Sequence, residues 1–309
     1  MRPWTRCCFK VLAIALTISF GACSARRVAP PTKPPRFNQE KAYARLLELC
    51  SLGPRNHGGP GKEAAEKLIQ RVLSEAGAEV SLHKFEHTAA AATEAARFTN
   101  IVGRIRPHEK RRILIGTHYD TRSWADRDPR DEKQTDPIPG ANDGASGVAL
   151  LLEMALTWKD QPPPVGVDLM FFDGEDFGRD RIWDDYFLGS RAWVRDHPDY
   201  KPEWGVIVDM VGDASLSIKK ERDSLKRAPA IVAKLWEAAE RVKSDDLVDA
   251  PDGHIMDDHT AFLDNEIPVI LLIDLDYPWF HTTDDTPDKC SAESLGQVGR
   301  AVMEAVESS

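Results

Sequence analysis

The stretch Arg112-Ile-Leu-Ile-Gly-Thr117 is a short, largely apolar run, and the polar triplet His118-Tyr-Asp120 follows it directly. Runs of this kind are typical of β-strands that are buried on both faces of a sheet. Segments with helical spacing alternate with such runs, which predicts a single-domain, three-layer α/β/α sandwich around a central mixed, mostly parallel sheet. The predicted strands lie at 80–85, 100–105, 112–117, 167–172, 204–211 and 269–275, and the predicted helices at 39–50, 62–76, 146–159, 190–195, 228–241 and 292–307.

The composition limits the class of protein. The chain has 309 residues, of which 42% are apolar and 29% charged, as in an ordinary soluble globular protein. Its formal net charge of −10 argues against nucleic-acid binding, which requires a basic face. We therefore predict one domain over residues 38–309 and no nucleic-acid partner.

The N-terminal segment predicts export. Basic residues precede the apolar run 11–20, and small residues then lead to Cys23, a pattern typical of a signal peptide over residues 1–23. Since Phe20-Gly-Ala-Cys23 also resembles a bacterial lipoprotein box, two outcomes stay open: plain cleavage, or a lipid on Cys23 that attaches the protein to a membrane. The proline-rich segment 24–37 is typical of an extended linker. We expect a periplasmic, membrane-anchored or extracellular protein.

Few cysteines remain beyond this segment. Cys50 and Cys290 are not a close pair in sequence, as a cysteine-ligated metal site would require. They either form one disulfide bridge or remain two separate thiols.

Polar residues directly follow four of the predicted strands. Because ligands of open α/β sheets bind at the carboxyl ends of the strands, we expect these side chains to meet at one rim. A further carboxylate, Asp143, lies in the glycine-rich loop before the helix at 146–159. The residues after the strands are His118 and Asp120, then Glu175 and Asp176, then Asp209, and finally His281.

A divalent cation is the simplest way to stabilise such a cluster, because carboxylates packed together without a counter-charge repel one another and take up protons. Imidazole nitrogen and carboxylate oxygen are ligands that suit zinc. Asp120 lies two residues after His118 and can therefore orient that imidazole. Taken singly, each residue has a plainer interpretation: a surface histidine, a solvated acidic loop or a helix cap. Their shared placement after strands favours the site.

The sequence contains five motifs in order, namely Gly116-Thr-His-Tyr-Asp120, Gly140-Ala-Asn-Asp-Gly-Ala-Ser-Gly147, Phe171-Phe-Asp-Gly-Glu-Asp176, Val208-Asp-Met-Val-Gly212 and His281-Thr-Thr-Asp-Asp285. Together they resemble the zinc aminopeptidase family, whose members include the animal-type glutaminyl cyclases. The match runs from about Gly53 to the C-terminus. Within the family, the stretch Met256-Asp-Asp-His-Thr-Ala-Phe-Leu263 and the spacing from Glu175 to Gly189 favour the cyclase branch, although residues 256–263 could also be only a helix start capped by Asp257 or Asp258.

The resemblance implies a metal site. Asp143, Asp176 and His281 match the ligands of the single zinc ion of the cyclases. In an aminopeptidase, His118 and Asp209 would join as ligands of a second zinc, with Asp143 bridging the two. The chain departs from the cyclase pattern at Asp176, where the cyclases carry the longer Glu.

The resemblance also implies the catalytic residues. Glu175 matches the group that shuttles a proton, and Asp209 and Asp257 match carboxylates that surround the leaving group. Phe280 stands where the cyclases carry Trp before the final His. An apolar wall for the substrate is therefore expected from a wider set of aromatic residues, namely Trp183, Tyr277, Trp279 and Phe280.

The leading hypothesis is a glutaminyl-peptide cyclotransferase that converts an N-terminal glutamine to pyroglutamate and releases ammonia. The alternative is a two-zinc metallo-aminopeptidase that hydrolyses the first peptide bond. A third hypothesis, a lipoprotein binding module without turnover, is disfavoured by Glu175, since a binding scaffold has no need of a base beside the metal. We expect peptide or protein N-termini as substrates and a monomeric chain.

Overall fold

The computed structural model describes Met1 and residues 37–90, 92–179 and 182–309. Its helices are α1 (Gln39–Ser51), α2 (Pro60–Glu75), α3 (Ala145–Asp160), α4 (Leu188–Asp196), α5 (Arg222–Arg227), α6 (Pro229–Val242), α7 (Asp258–Asp264) and α8 (Ala292–Glu307). Its strands are β1 (Glu79–His87), β2 (Ala96–Ile105), β3 (Arg112–His118), β4 (Gly166–Phe172), β5 (Trp204–Asp209), β6 (Ile218–Lys220), β7 (Leu247–Pro251) and β8 (Val269–Ile273). Apart from Met1, the predicted signal peptide with its lipoprotein box and residues 24–36 of the linker lie outside the described residues.

Six strands form one mixed sheet in the order β1-β2-β4-β3-β5-β8. Strands β4, β3, β5 and β8 pair in parallel, whereas β2 is antiparallel to both β1 and β4. The carboxyl ends of the four parallel strands therefore lie at one rim. The predicted mixed, mostly parallel sheet is confirmed, and β6 and β7 form a separate two-stranded sheet.

Both faces of the sheet are covered, which explains the unbroken apolar runs. In β3, Ile113 and Ile115 pack into the larger core, with helices α1, α2, α3, α6 and α8, whereas Leu114 between them packs into a second core with α4 and α7. The same alternation holds in β5, where Val206 and Val208 face the larger core and Ile207 the smaller one. The predicted three-layer sandwich is thus confirmed. Within the described residues, no helix combines the length and apolarity needed to cross a membrane.

Two predicted strands were too long. The strand predicted at 204–211 ends at Asp209 in the structure, because Met210 takes a positive φ of 46° and leaves the sheet. The prediction 269–275 ends at Ile273. The short elements α5, β6 and β7 were not predicted, since three to six residues carry little periodicity.

The domain begins one residue earlier than predicted. Phe37, assigned to the linker, is buried and belongs to the larger core. Its ring lies over Gly299 of α8, where a Cβ atom would approach it to 2.6 Å. Cys50 and Cys290, for which two outcomes were open, are both free thiols in the structure.

Candidate active site

The polar residues that follow the parallel strands converge at one rim of the sheet. His118 ends β3, Asp209 ends β5, and Glu175 and Asp176 lie in the turn after β4. Asp143 reaches the same place from the loop before α3. All five side chains are buried, with at most 8% of any of these residues exposed. Removal of so many acidic groups from water requires compensation by a positive charge.

One group of ligand atoms has the spacing of a metal site. The Nε2 atom of His281 lies 3.4 Å from Oδ1 of Asp176 and 3.7 Å from Oδ2 of Asp143. Donors bound tetrahedrally to zinc at about 2.1 Å lie about 3.4 Å apart, so the spacing fits that ion. Oδ2 of Asp143 and Oδ2 of Asp176 are buried and accept no hydrogen bond from the described residues. Two unpartnered carboxylate oxygens beside an imidazole fit a bound cation.

A second group shares Asp143. Nε2 of His118 lies 3.0 Å from Oδ1 of Asp209 and 3.2 Å from Oδ1 of Asp143. The ligand atoms within each group all lie within 4.8 Å of one another. Since the two oxygens of Asp143 face different groups, Asp143 is placed to bridge two ions. The geometry therefore offers both a one-metal and a two-metal arrangement.

Burial and neighbouring charges shift the pKa values of the groups in this cluster. Burial, followed by the charge of Asp176, raises the pKa of Asp143 to about 7 and that of Glu175 well above its usual range. Although burial opposes the charged form of His281, the Asp176 carboxylate and hydrogen bonds raise its pKa to about 9. Without a cation, Asp143, Glu175 and the imidazole of His281 therefore retain protons at a higher pH than such groups usually do. A divalent ion would displace those protons.

Arg55 positions the loop that carries Asp143. Its fully buried guanidinium donates to the carbonyl oxygens of Tyr119, Pro139 and Gly140, at 3.0, 3.1 and 2.6 Å. The loop is thereby joined to the end of β3 by a charged group. Sequence reasoning missed Arg55, because none of its partners is near in sequence.

Two buried carboxylates bind backbone N–H groups of the candidate metal ligands and of the residue beside them. Asp120 accepts hydrogen bonds from the N–H groups of Glu175 and Asp176, both at 3.2 Å. Asp285 accepts from the N–H group of Asp143 at 3.1 Å. The prediction that Asp120 orients His118 stays a prediction, with its Oδ1 atom 3.5 Å from Nδ1 of that ring. Asp120 thus also stabilises the turn after β4.

Arg122 connects two sides of the first group and was also missed. It binds both oxygens of Asp126, at 2.9 and 2.7 Å, and reaches Oδ1 of Asp176 at 3.3 Å. Asp126 in turn lies 3.2 Å from Nδ1 of His281, the ring nitrogen that faces away from the metal candidates. A partner on this nitrogen fixes the tautomer that leaves Nε2 free to bind a metal. His281 itself takes a positive φ of 56°, which costs backbone strain that these contacts must offset.

We expect Arg122→Gln to lower the affinity for zinc by about 10- to 100-fold, as loss of such supporting contacts typically does. The neutral side chain can no longer hold Asp126 and Asp176 together. Affinity can be measured by competition with a chromogenic chelator at neutral pH. Arg71→Gln, on the exposed face of α2, is the matched control. An Arg122→Gln affinity equal to that of the control would show that Arg122 does not support the site.

A cavity of about 480 Å³ opens above these groups. Asp143, Glu175, Asp176, Asp209 and His281 contribute to its lining. Of the predicted aromatic wall, Trp183 and Phe280 line the cavity. Tyr277 and Trp279 do not: the Tyr277 hydroxyl donates to Asp285 at 2.7 Å, and Trp279 packs edge-on against the Tyr277 ring. Their side chains support the loop behind the site instead.

Asp257 lines the same cavity from another direction. It is the N-cap of α7, its side chain accepting from the N–H group of Asp258. It is only 3% exposed, and burial together with Asp209 raises its pKa well above the usual range. The plainer interpretation, a helix cap, therefore describes the local contact, while the cavity places the same carboxyl group beside Glu175 and Asp209. Both interpretations apply to one residue.

Comparison with known proteins places this geometry in context. The profile described as Peptidase family M28 matches residues 100–306. The solved structure of glutaminyl cyclase from Bacteroides thetaiotaomicron, bound to N-acetylhistamine, superposes with a TM-score of 0.86 at 32% identity and covers 90% of this chain and 100% of that one. A structure described as a leucine aminopeptidase precursor from the same organism matches with the same TM-score and identity, over 90% and 99% of the two chains.

A curated relative is similar over a smaller share of its length. The glutaminyl-peptide cyclotransferase-like protein of Bos taurus is 26% identical over 267 residues, which cover 75% of this chain and 66% of the bovine protein. The chain thus spans about two thirds of that relative.

Proposed function

Because the chain belongs to peptidase family M28, we propose that it is a zinc-dependent glutaminyl-peptide cyclotransferase, which closes an N-terminal glutamine to pyroglutamate and releases ammonia. The observation that carries this proposal is the meeting of Glu175, Asp209 and Asp257 in one cavity beside the metal candidates. Besides the proton-transfer group Glu175, the other two carboxylates would accept hydrogen bonds from the departing amide nitrogen. The likeness to bacterial glutaminyl cyclases supports the same choice.

Asp143, Asp176 and His281 would hold the zinc ion. When bound there, zinc supplies a Lewis acid for the γ-carboxamide oxygen of the substrate glutamine. Trp183 and Phe280 line the cavity and would contact the methylene groups of that side chain. These contacts would hold the glutamine folded, with its α-amine beside the carbonyl carbon of its own γ-carboxamide, which provides the advantage of an intramolecular reaction.

Glu175 would transfer the proton. A bond forms between the α-nitrogen and the γ-amide carbon, and the bond from that carbon to the amide nitrogen breaks. Glu175 accepts the proton that the attacking amine loses and returns it to the departing nitrogen, which leaves as ammonia. Asp209 and Asp257 accept hydrogen bonds from the departing nitrogen. Glu175 lines the cavity beside the proposed ligands without being one of them, so its carboxylate is available to accept and then donate a proton.

A second candidate function, metallo-aminopeptidase activity, is favoured by the second ligand group. His118, Asp143 and Asp209 could hold another zinc ion. Asp209 would then be a ligand instead of a partner of the leaving group. Since these two uses of Asp209 exclude each other, the metal content separates the two functions.

We expect the purified protein to bind one zinc ion and to release ammonia from Gln-Ala-amide while leaving Leu-Ala-amide intact. Zinc can be measured by atomic emission, ammonia by a coupled assay and free leucine by chromatography. Dialysis against a chelator should remove the activity, and zinc should restore it. Two zinc ions per chain together with release of leucine would overturn the cyclotransferase proposal in favour of the aminopeptidase.

A further inference from the structure

The mouth of the cavity carries an uncompensated positive charge. We define the mouth as the lining residues that are also exposed, namely Asp126, Arg127, Trp183, His254 and Leu275. Two of its charged or titratable groups have partners: Asp126 pairs with Arg122, and His254 lies 3.2 Å from Asp223. Arg127, in contrast, forms no ion pair or side-chain hydrogen bond with any described residue.

Arg127 is nevertheless held in place. Its guanidinium carbon lies 4.6 Å from the centre of the Phe280 ring, and its backbone N–H donates to the carbonyl of His281 at 3.2 Å. A guanidinium stacked on an aromatic face keeps its N–H edges free for another acceptor. The guanidinium of Arg127 is thus held at the cavity that the candidate metal ligands line, and its N–H donors are unused. The formal net charge of the protein is −10.

The floor of the cavity disfavours acidic groups of a substrate, whereas its mouth favours them. The carboxylates of the floor repel an acidic group, so the first residue of a peptide must bring a neutral side chain such as glutamine. The residues that follow have to leave through the mouth, where they pass Arg127. A carboxylate there would meet a fixed, unpaired guanidinium, which binds carboxylates with two parallel hydrogen bonds.

We propose that Arg127 selects peptides in which an acidic residue follows the N-terminal glutamine. This inference rests on the cyclotransferase function proposed above. Arg127 acts on the residue after the one that reacts and takes no part in the proton transfer. Its contribution therefore shows in the ratio of kcat/KM between peptides.

The test compares kcat/KM for Gln-Glu-Ala-amide, Gln-Ala-Ala-amide and Gln-Lys-Ala-amide, whose blocked C-termini remove any other carboxylate. We expect the Glu peptide to exceed the Ala peptide by about fivefold, with the Lys peptide lowest, as an exposed ion pair would give. High salt should reduce the difference. Arg127→Gln should bring the Glu-to-Ala ratio close to one, and Arg127→Glu should make the Lys peptide the best of the three.

Arg111→Gln is the matched control, because it removes the same charge from an exposed site next to the amino end of β3, at the rim of the sheet opposite the cavity. Its Glu-to-Ala ratio should equal that of the wild type. Ratios near one in the wild type, or a ratio unchanged by Arg127→Gln, would overturn the selection by Arg127 and leave the cyclotransferase intact. No ammonia from any of the three peptides would overturn the cyclotransferase proposal and this inference with it.

Discussion

Glu175→Gln is expected to reduce turnover of a peptide with an N-terminal glutamine by about 1000-fold or more. Loss of a general acid–base group typically lowers the rate by about 100- to 10,000-fold. The amide keeps the size of the side chain but cannot accept the proton of the attacking amine. Zinc content should stay at the wild-type level, because Asp143, Asp176 and His281 are unchanged. Ammonia release and zinc analysis on the same preparation measure both effects.

Glu63→Gln is the matched control, since Glu63 is an exposed residue of α2 whose only ion pair with a described residue is with Lys67. It should leave both turnover and zinc content unchanged. If Glu175→Gln kept more than a tenth of the wild-type activity, Glu175 would not be the proton-transfer group. If it lost zinc as well as activity, its part would be to bind the metal.

Arg55→Met is expected to lower the free energy of unfolding by about 3–5 kcal/mol, as removal of one partner from a buried charged network typically does. Methionine fills much of the volume but leaves the carbonyl oxygens of Tyr119, Pro139 and Gly140 without their donor. The midpoint of thermal unfolding, measured with zinc present, should fall by roughly 10 °C for a domain of this size.

Lys67→Met is the control for this change, because Lys67 is a cation on the exposed side of α2. Its effect should stay within about 0.5 kcal/mol, as for most surface substitutions. Arg55→Lys should fall between the two variants, since one ammonium group can reach only part of the same acceptors. A melting midpoint within 2 °C of wild type for Arg55→Met, on the scale of roughly 2–4 °C per kcal/mol, would show that the loop does not depend on Arg55.

The sequence predicted the sheet and the position of the polar cluster because both follow from local pattern. Ile113 to Ile115 is a buried strand, and His118 follows it at the end where ligands of such sheets bind. Strand order also decided which residues met: β3, β4, β5 and β8 are parallel, so Asp176 and Asp209 had to reach the same rim.

The residues that support the site could not be predicted in this way. Arg55 lies 64 to 85 positions away from the carbonyl groups that its side chain binds, and no local pattern marks it. Arg122 and Asp126 lie in a loop, and a pair of opposite charges in a loop is usually exposed to solvent and has no part in a site. Tyr277 was expected in the cavity as one of the aromatic residues close to the final His281, while its hydroxyl in fact donates to the buried carboxylate of Asp285. Each case depends on packing between distant segments.

The contact between Arg55 and the Asp143 loop has a consequence for the smallest active piece of this protein. The family profile begins at residue 100 and includes the proposed ligands, Glu175 and Asp257, but it leaves out α1, α2 and the arginine between them. A fragment cut at that boundary would carry the whole set of metal-binding side chains without the tie that places Asp143. We therefore expect the autonomous catalytic unit to be larger than the region by which the family is recognised.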